Sequence, residues 1–208
     1  MKYRFGSMMI LAAVLGLAAA NPHPPGGSGK KAEAFIPKGW SLEHRENGYL
    51  NSDRYPDTVM LVRQGEGDAR LLIILFGNQE GDYDLAVKNH TLIPGDSGAN
   101  AVMEIKSRVL NIHLYRMSGK DAAEASRLTF GFRYGKGCFE LKHFEKETMQ
   151  GSTGETVKIS ADYGRNTYKK RTTRPGTLTR NVEGKLPGKA APLCLEKIGS
   201  GYGFSPGL

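Results

Sequence analysis

Asn51, Asp53 and Asp57 sit in the run Gly48-Tyr-Leu-Asn-Ser-Asp-Arg-Tyr-Pro-Asp57, spaced much as oxygen ligands are in calcium loops. Such loops place ligands two residues apart so that alternate side chains point at one hard cation. Two positions speak against a metal. Tyr49 occupies the leading acidic place, and Arg54 stands where glycine normally permits the sharp turn, adding a positive charge as well. The run reads as a polar turn with weak calcium binding or none, and no cofactor is expected.

The other residues capable of acid–base work are scattered. The histidines are His23, His44, His90, His113 and His143. A general base needs a positioned partner, yet no Gly-x-Ser-x-Gly elbow and no zinc-ligand spacing is present. Glu80, Asp82 and Asp84 flank a turn, where acids are commonly solvated. Paired carboxylates in a cleft can cut glycans. A hydrolase acting on envelope glycans or peptides is therefore the alternative to a non-enzymatic protein. Trp40, the single tryptophan, follows Pro37 and Gly39 and is expected to cap the core rather than to stack on a sugar.

The densest surface signal is positive charge. Arg165, Lys169, Lys170, Arg171, Arg174 and Arg180 fall in a stretch without an acid, and Lys185 and Lys189 extend it past Glu183. In a cytoplasmic protein this would suggest nucleic acid. The compartment argues otherwise, and an anionic envelope polymer or a protein is the expected partner.

That compartment is read from residues 1–20. Lys2 and Arg4 precede an uncharged apolar run over 8–20, too short to span a bilayer, and Ala18-x-Ala20 has the small-residue pattern of a signal-peptidase site. The mature chain, periplasmic or secreted, is expected to start at Asn21. Removing Lys2 and Arg4 leaves 27 basic against 21 acidic residues, a formal charge of +6. Residues 21–34 are rich in proline and glycine and read as a flexible leader. Residues 35–208 suit one domain. Its two cysteines, Cys138 and Cys194, are expected to form one disulfide in an oxidising compartment.

The elements that must carry these residues are short strands. Residues 58–63 (TVMLVR) and 70–76 (RLLIILF) are dense in branched aliphatics and read as buried central strands joined by a polar connection. Strands are also expected at 83–88, 101–106, 108–115, 128–134, 138–145, 155–162 and 165–172, with a short helical turn at 120–125. Connections this brief require antiparallel pairing, since parallel crossovers need a dozen or more residues. The expected fold is all-β or nearly so, an antiparallel sheet or sandwich built of hairpins.

Phe35-Ile-Pro-Lys-Gly-Trp40, the loop Asn51-Ser-Asp-Arg-Tyr-Pro-Asp57, Leu71-Leu-Ile-Ile-Leu75 and Phe130-Gly-Phe-Arg-Tyr134 together resemble a group of small secreted bacterial proteins of unassigned function. Those proteins open on a similar F-I-P-x-G-W and carry a loop like that of FG-GAP, or integrin-α, repeats. The resemblance implies a bacterial envelope protein with a β-sheet domain and no assigned reaction.

Overall fold

A computed structural model of the chain describes residues 27–65, 67–95, 99–119, 123–177, 179–187 and 192–207. The expected signal peptide, the first part of the expected leader and Lys189 lie outside the described residues. So do residues 120–122 of the expected helical turn.

All named strands pair antiparallel, in two sheets. The first contains β1 (Ser28–Gly29), β2 (Trp40–Gly48), β3 (Asp57–Gln64), β4 (Arg70–Gly77) and β5 (Tyr83–Asn89), in the order β1-β5-β4-β3-β2. The second is a seven-stranded meander of β6 (Ala99–Lys106), β7 (Val109–Ser118), β8 (Glu124–Gly135), β9 (Cys138–Gln150), β10 (Thr156–Asp162), β11 (Thr167–Thr173) and β12 (Arg180–Lys185). Glu124 and Ala125, expected in a helical turn, instead open β8 and pair with Gln150 and Met149. Cross-strand pairing along the whole β8–β9 hairpin outweighs the weak local preference of a few residues for a helical turn.

One face of each sheet contributes to a shared core. Leu61, Leu72 and Ile74 of the first sheet belong to the same buried cluster as Ile112, Leu128, Phe130 and Phe144 of the second. The opposite face of the first sheet is covered too. Met60, Val62, Leu71, Ile73 and Leu75 are buried there with Ala32, and Phe35, Ile36 and Trp40 pack against them. Burial on both faces explains why β3 and β4 read as unbroken aliphatic runs rather than as alternating ones.

Part of the stretch read as a leader is thus seated on the sheet. Ser28 and Gly29 pair with Asp84 and Tyr83, and residues Ala32–Phe35 form a 3-10 turn whose Ala32 is fully buried. Its polar composition conceals this, because a few anchors suffice where an apolar sheet face must be shielded. Trp40 caps this second cluster, with its ring edge-on to His90 at 6.1 Å.

β2 and β12 are strands with little apolar pattern, and both are sheet edges. β2 carries a bulge between Leu42 and His44. Glu43 lies at that bulge and holds the buried Arg70 through Nε at 2.9 Å and Nη2 at 2.7 Å. The C-terminal segment is tied down by the disulfide between Cys138 and Cys194. Around Cys194 the chain makes one isolated bridge, Glu140 to Cys194, before a 3-10 turn over Leu195–Lys197. No described helix is long and apolar enough to cross a membrane.

Candidate functional sites

The calcium-like loop is organised around Asp57, the fully buried first residue of β3. Its carboxylate accepts from the backbone N–H of Leu50 at 2.6 Å, of Asn51 at 3.3 Å and of Gly77 at 3.2 Å. Asn51 and Asp53 bond to each other: the Asn51 side-chain amide donates to Asp53 at 2.6 Å, and the Asp53 N–H donates back to Asn51 at 3.0 Å. Asp53 also caps Tyr55 N–H at 2.8 Å. The three side chains are therefore brought together in one loop, and their oxygens accept from donors of the loop itself and of β4. Among the described residues no group of three histidine, cysteine, aspartate or glutamate side chains could hold a metal ion. The arrangement is a clasp joining the loop to β4.

Burial pushes the Asp57 carboxyl up from 3.8 to about 6, against the three N–H donors, which favour the charged form. Below about pH 4 the group is protonated in both folded and unfolded chains. Between there and about pH 6 the folded protein retains a proton that the unfolded chain has released, so stability falls as pH rises. The expected loss from this group is roughly 3 kcal/mol across that window. Urea unfolding at intervals from pH 4 to 7 should show the decline. The same series on Asp57→Asn should be flatter over that range, and an unchanged slope would contradict the assignment.

On the outward face of the seven-stranded sheet, a groove of about 280 Å³ brings together His143, Glu145, Ser160, Asp162 and Lys169. This is the one place among the described residues where a histidine stands cross-strand from an acid, His143 opposite Asp162, with a serine beside them. The hydrogen bonds do not form a relay. Ser160 Oγ donates to Glu145 at 3.2 Å, and Asp162 accepts Arg165 N–H at 2.9 Å. The His143 ring lies over Gly131 of β8, where an added Cβ would sit 1.8 Å from its Cε1, and so leans away from β10 and Asp162. His113 bonds Thr129 at 3.0 Å, and burial lowers its pKa.

The basic residues occupy β11, β12 and their flanks, where the sheet runs out past the main core. Register and alternation divide them between two faces. Thr167, Lys169 and Arg171 point outward, opposite Lys185, Glu183 and Asn181. Tyr168, Lys170 and Thr172 point to the core side, opposite Gly184, Val182 and Arg180. Arg165 precedes β11, in the turn, and Arg174 follows it.

Several of these charges are already matched. Lys169 pairs with Glu183 at 3.0 Å, Arg165 with Asp162 at 3.6 Å, and Arg174 with Glu155. Arg171 donates to Asn181 at 3.2 Å. Lys170 and Arg180, on the core-side face, have no carboxylate at ion-pair distance among the described residues.

Comparison with known proteins adds no relative. No protein-family model, curated protein or solved structure matches this chain.

By sequence the six cations form one patch, and the apolar side chains between them emerge only from the sheet register. Ile159 and Val182 flank Lys170 on its own face, in one cross-strand row. Alternation along β10 (TVKISAD) carries part of that signal, but β12 (RNVEGK) is too polar to be read as a strand at all.

Proposed function

We propose that this chain is a non-enzymatic bacterial envelope protein, periplasmic or secreted, that binds an anionic polymer or protein partner through the β10–β12 end of its larger sheet. An inhibitor or a toxin-neutralising protein would be one form of it. The observation that carries the reading is the exposed three-stranded end, where Lys170 and Arg180 present charge that no described carboxylate neutralises. Potentials of neighbouring cations add within a Debye length, about 8 Å at physiological salt. The export motif, the disulfide and the resemblance to secreted proteins support the compartment.

The test is binding to long-chain polyphosphate, a soluble polyanion, across a salt series. Wild type should bind with an affinity that falls steeply as salt rises, because exposed charges are screened. Reversing Lys169, Lys170 and Arg171 together to glutamate should slow association by about tenfold or more at low salt while leaving the unfolding midpoint nearly unchanged. Lys170→Glu alone should reproduce more of that loss than Lys169→Glu alone, because Lys169 is already paired with Glu183. Equal, salt-insensitive binding by wild type and the triple variant would remove this end from the mechanism.

A further inference from the structure

The core-side face of the β10–β12 end is more than a charged patch. A trough of about 320 Å³ runs across it, lined by Ile159, Tyr168, Lys170, Thr172, Arg180 and Val182. The register explains its composition. One cross-strand row reads Ile159, Lys170, Val182, and the next reads Val157, Thr172, Arg180. Tyr168 closes the end nearest the core, its ring lying over Gly184, where an added Cβ would come within 2.8 Å of it. The volume is at the lower end of the range of roughly 300–1,000 Å³ for small-molecule sites.

From this geometry we infer that the trough holds a phosphorylated lipid, with the phosphate between Lys170 and Arg180 and the first part of the acyl chain along Ile159 and Val182. The inference deepens the anionic-partner reading and rests on it. Lys170 and Arg180 sit diagonally across adjacent strands, a separation of about 7–8 Å at the backbone that long side chains close readily. Both can therefore donate to one phosphate, and the hydroxyl of Thr172, opposite Arg180 and two residues along β11 from Lys170, can add a third donor.

The apolar floor decides between kinds of anion. A polysaccharide or polyphosphate needs only the cations. Yet Val182 is 37 % exposed on an edge strand that is otherwise polar, and Ile159 lies in the same row on the other side of Lys170, whose methylene stem bridges the two. Hydrocarbon laid against them removes apolar surface from water on both partners. Lys146 continues the row on β9, opposite Ile159, and extends the positive rim.

The test uses dodecyl phosphate below its micelle-forming concentration, in calorimetric titrations of the full folded protein. Inorganic phosphate supplies the charge alone, and dodecyl maltoside supplies the chain alone. Dodecyl phosphate should bind at least about tenfold more tightly than either, because only it uses both the cations and the floor. Lys170→Glu should weaken it by about tenfold or more. Val182→Ser, which removes apolar floor without adding charge, should weaken it comparably while leaving the polyphosphate affinity nearly unchanged. Ile159→Thr, which keeps a β-branched side chain, guards against misfolding of the edge strand and should act in the same direction.

Dodecyl phosphate binding no tighter than inorganic phosphate would overturn the trough. So would full affinity in both floor variants. If polyphosphate still binds in a salt-sensitive way, the broader anionic reading survives that result. If polyphosphate also fails to bind, both fall.

Discussion

Gly77→Ala is expected to destabilise the protein by roughly 3 kcal/mol, as a side chain forced into a filled site does. Gly77 is the buried last residue of β4, and its N–H donates to Asp57. A Cβ there would lie 2.3 Å from the carbonyl oxygen of Pro56 and 3.6 Å from Cβ of Tyr55. The first of these is a backbone atom of the loop that Asp57 clasps. Relief would require moving the loop off the strand, loosening the hydrogen bonds that hold it. Gly135 is the matched control: it ends β8, an added Cβ meets nothing within 4 Å, and its alanine variant should cost no more than about 0.5 kcal/mol. Chemical denaturation of both variants measures the difference. Equal stabilities would show that the loop is not held against Gly77 as described.

Removal of the disulfide is the other large effect. Cys138 opens β9, and Cys194 immediately precedes the 3-10 turn over Leu195–Lys197. The bridge spans 56 positions of sequence, so replacing both cysteines with serine should cost roughly 4 kcal/mol through the freed entropy of the unfolded chain. The native contacts around it make the C-terminal segment part of the core. Leu195 and Ile198 are buried, Leu141 N–H donates to Leu193 at 2.8 Å, and the Asn89 side chain donates to Leu195 at 3.1 Å. Urea unfolding of the double variant at fixed pH checks the magnitude. A loss below about 1 kcal/mol would mean that these contacts, rather than the cross-link, hold the segment. Peptide mapping without reductant should recover the two cysteines in one linked fragment.

Much of the class of this protein was legible in its residues. The aliphatic density of β3 and β4, the alternation in β7 and the short glycine-bearing connections each specify antiparallel hairpins by local chemistry alone. The two cysteines, with no other sulfur partner to choose from, specified their own bridge. The polar loop that holds Asn51, Asp53 and Asp57 was legible too, by its position immediately before an aliphatic strand.

What only the tertiary structure decided is where each face points and what meets it. Alternation says that Lys169 and Lys170 diverge, but it cannot say that one meets Glu183 while the other faces a trough between Ile159 and Val182. Those facts depend on the register of β12, an edge strand stabilised by pairing with its neighbour rather than by any apolar pattern of its own. For the same reason β2 was silent in the sequence, and residues 28–34 read as leader although an aliphatic sheet face requires a cover there. Likewise the spacing of Asp57 from Asn51 and Asp53 is local and legible, whereas one of its donors, Gly77, is twenty residues away across a strand pair. Local patterning determines which strands form. Burial and register, which are long-range, determine which of their side chains are left free to bind.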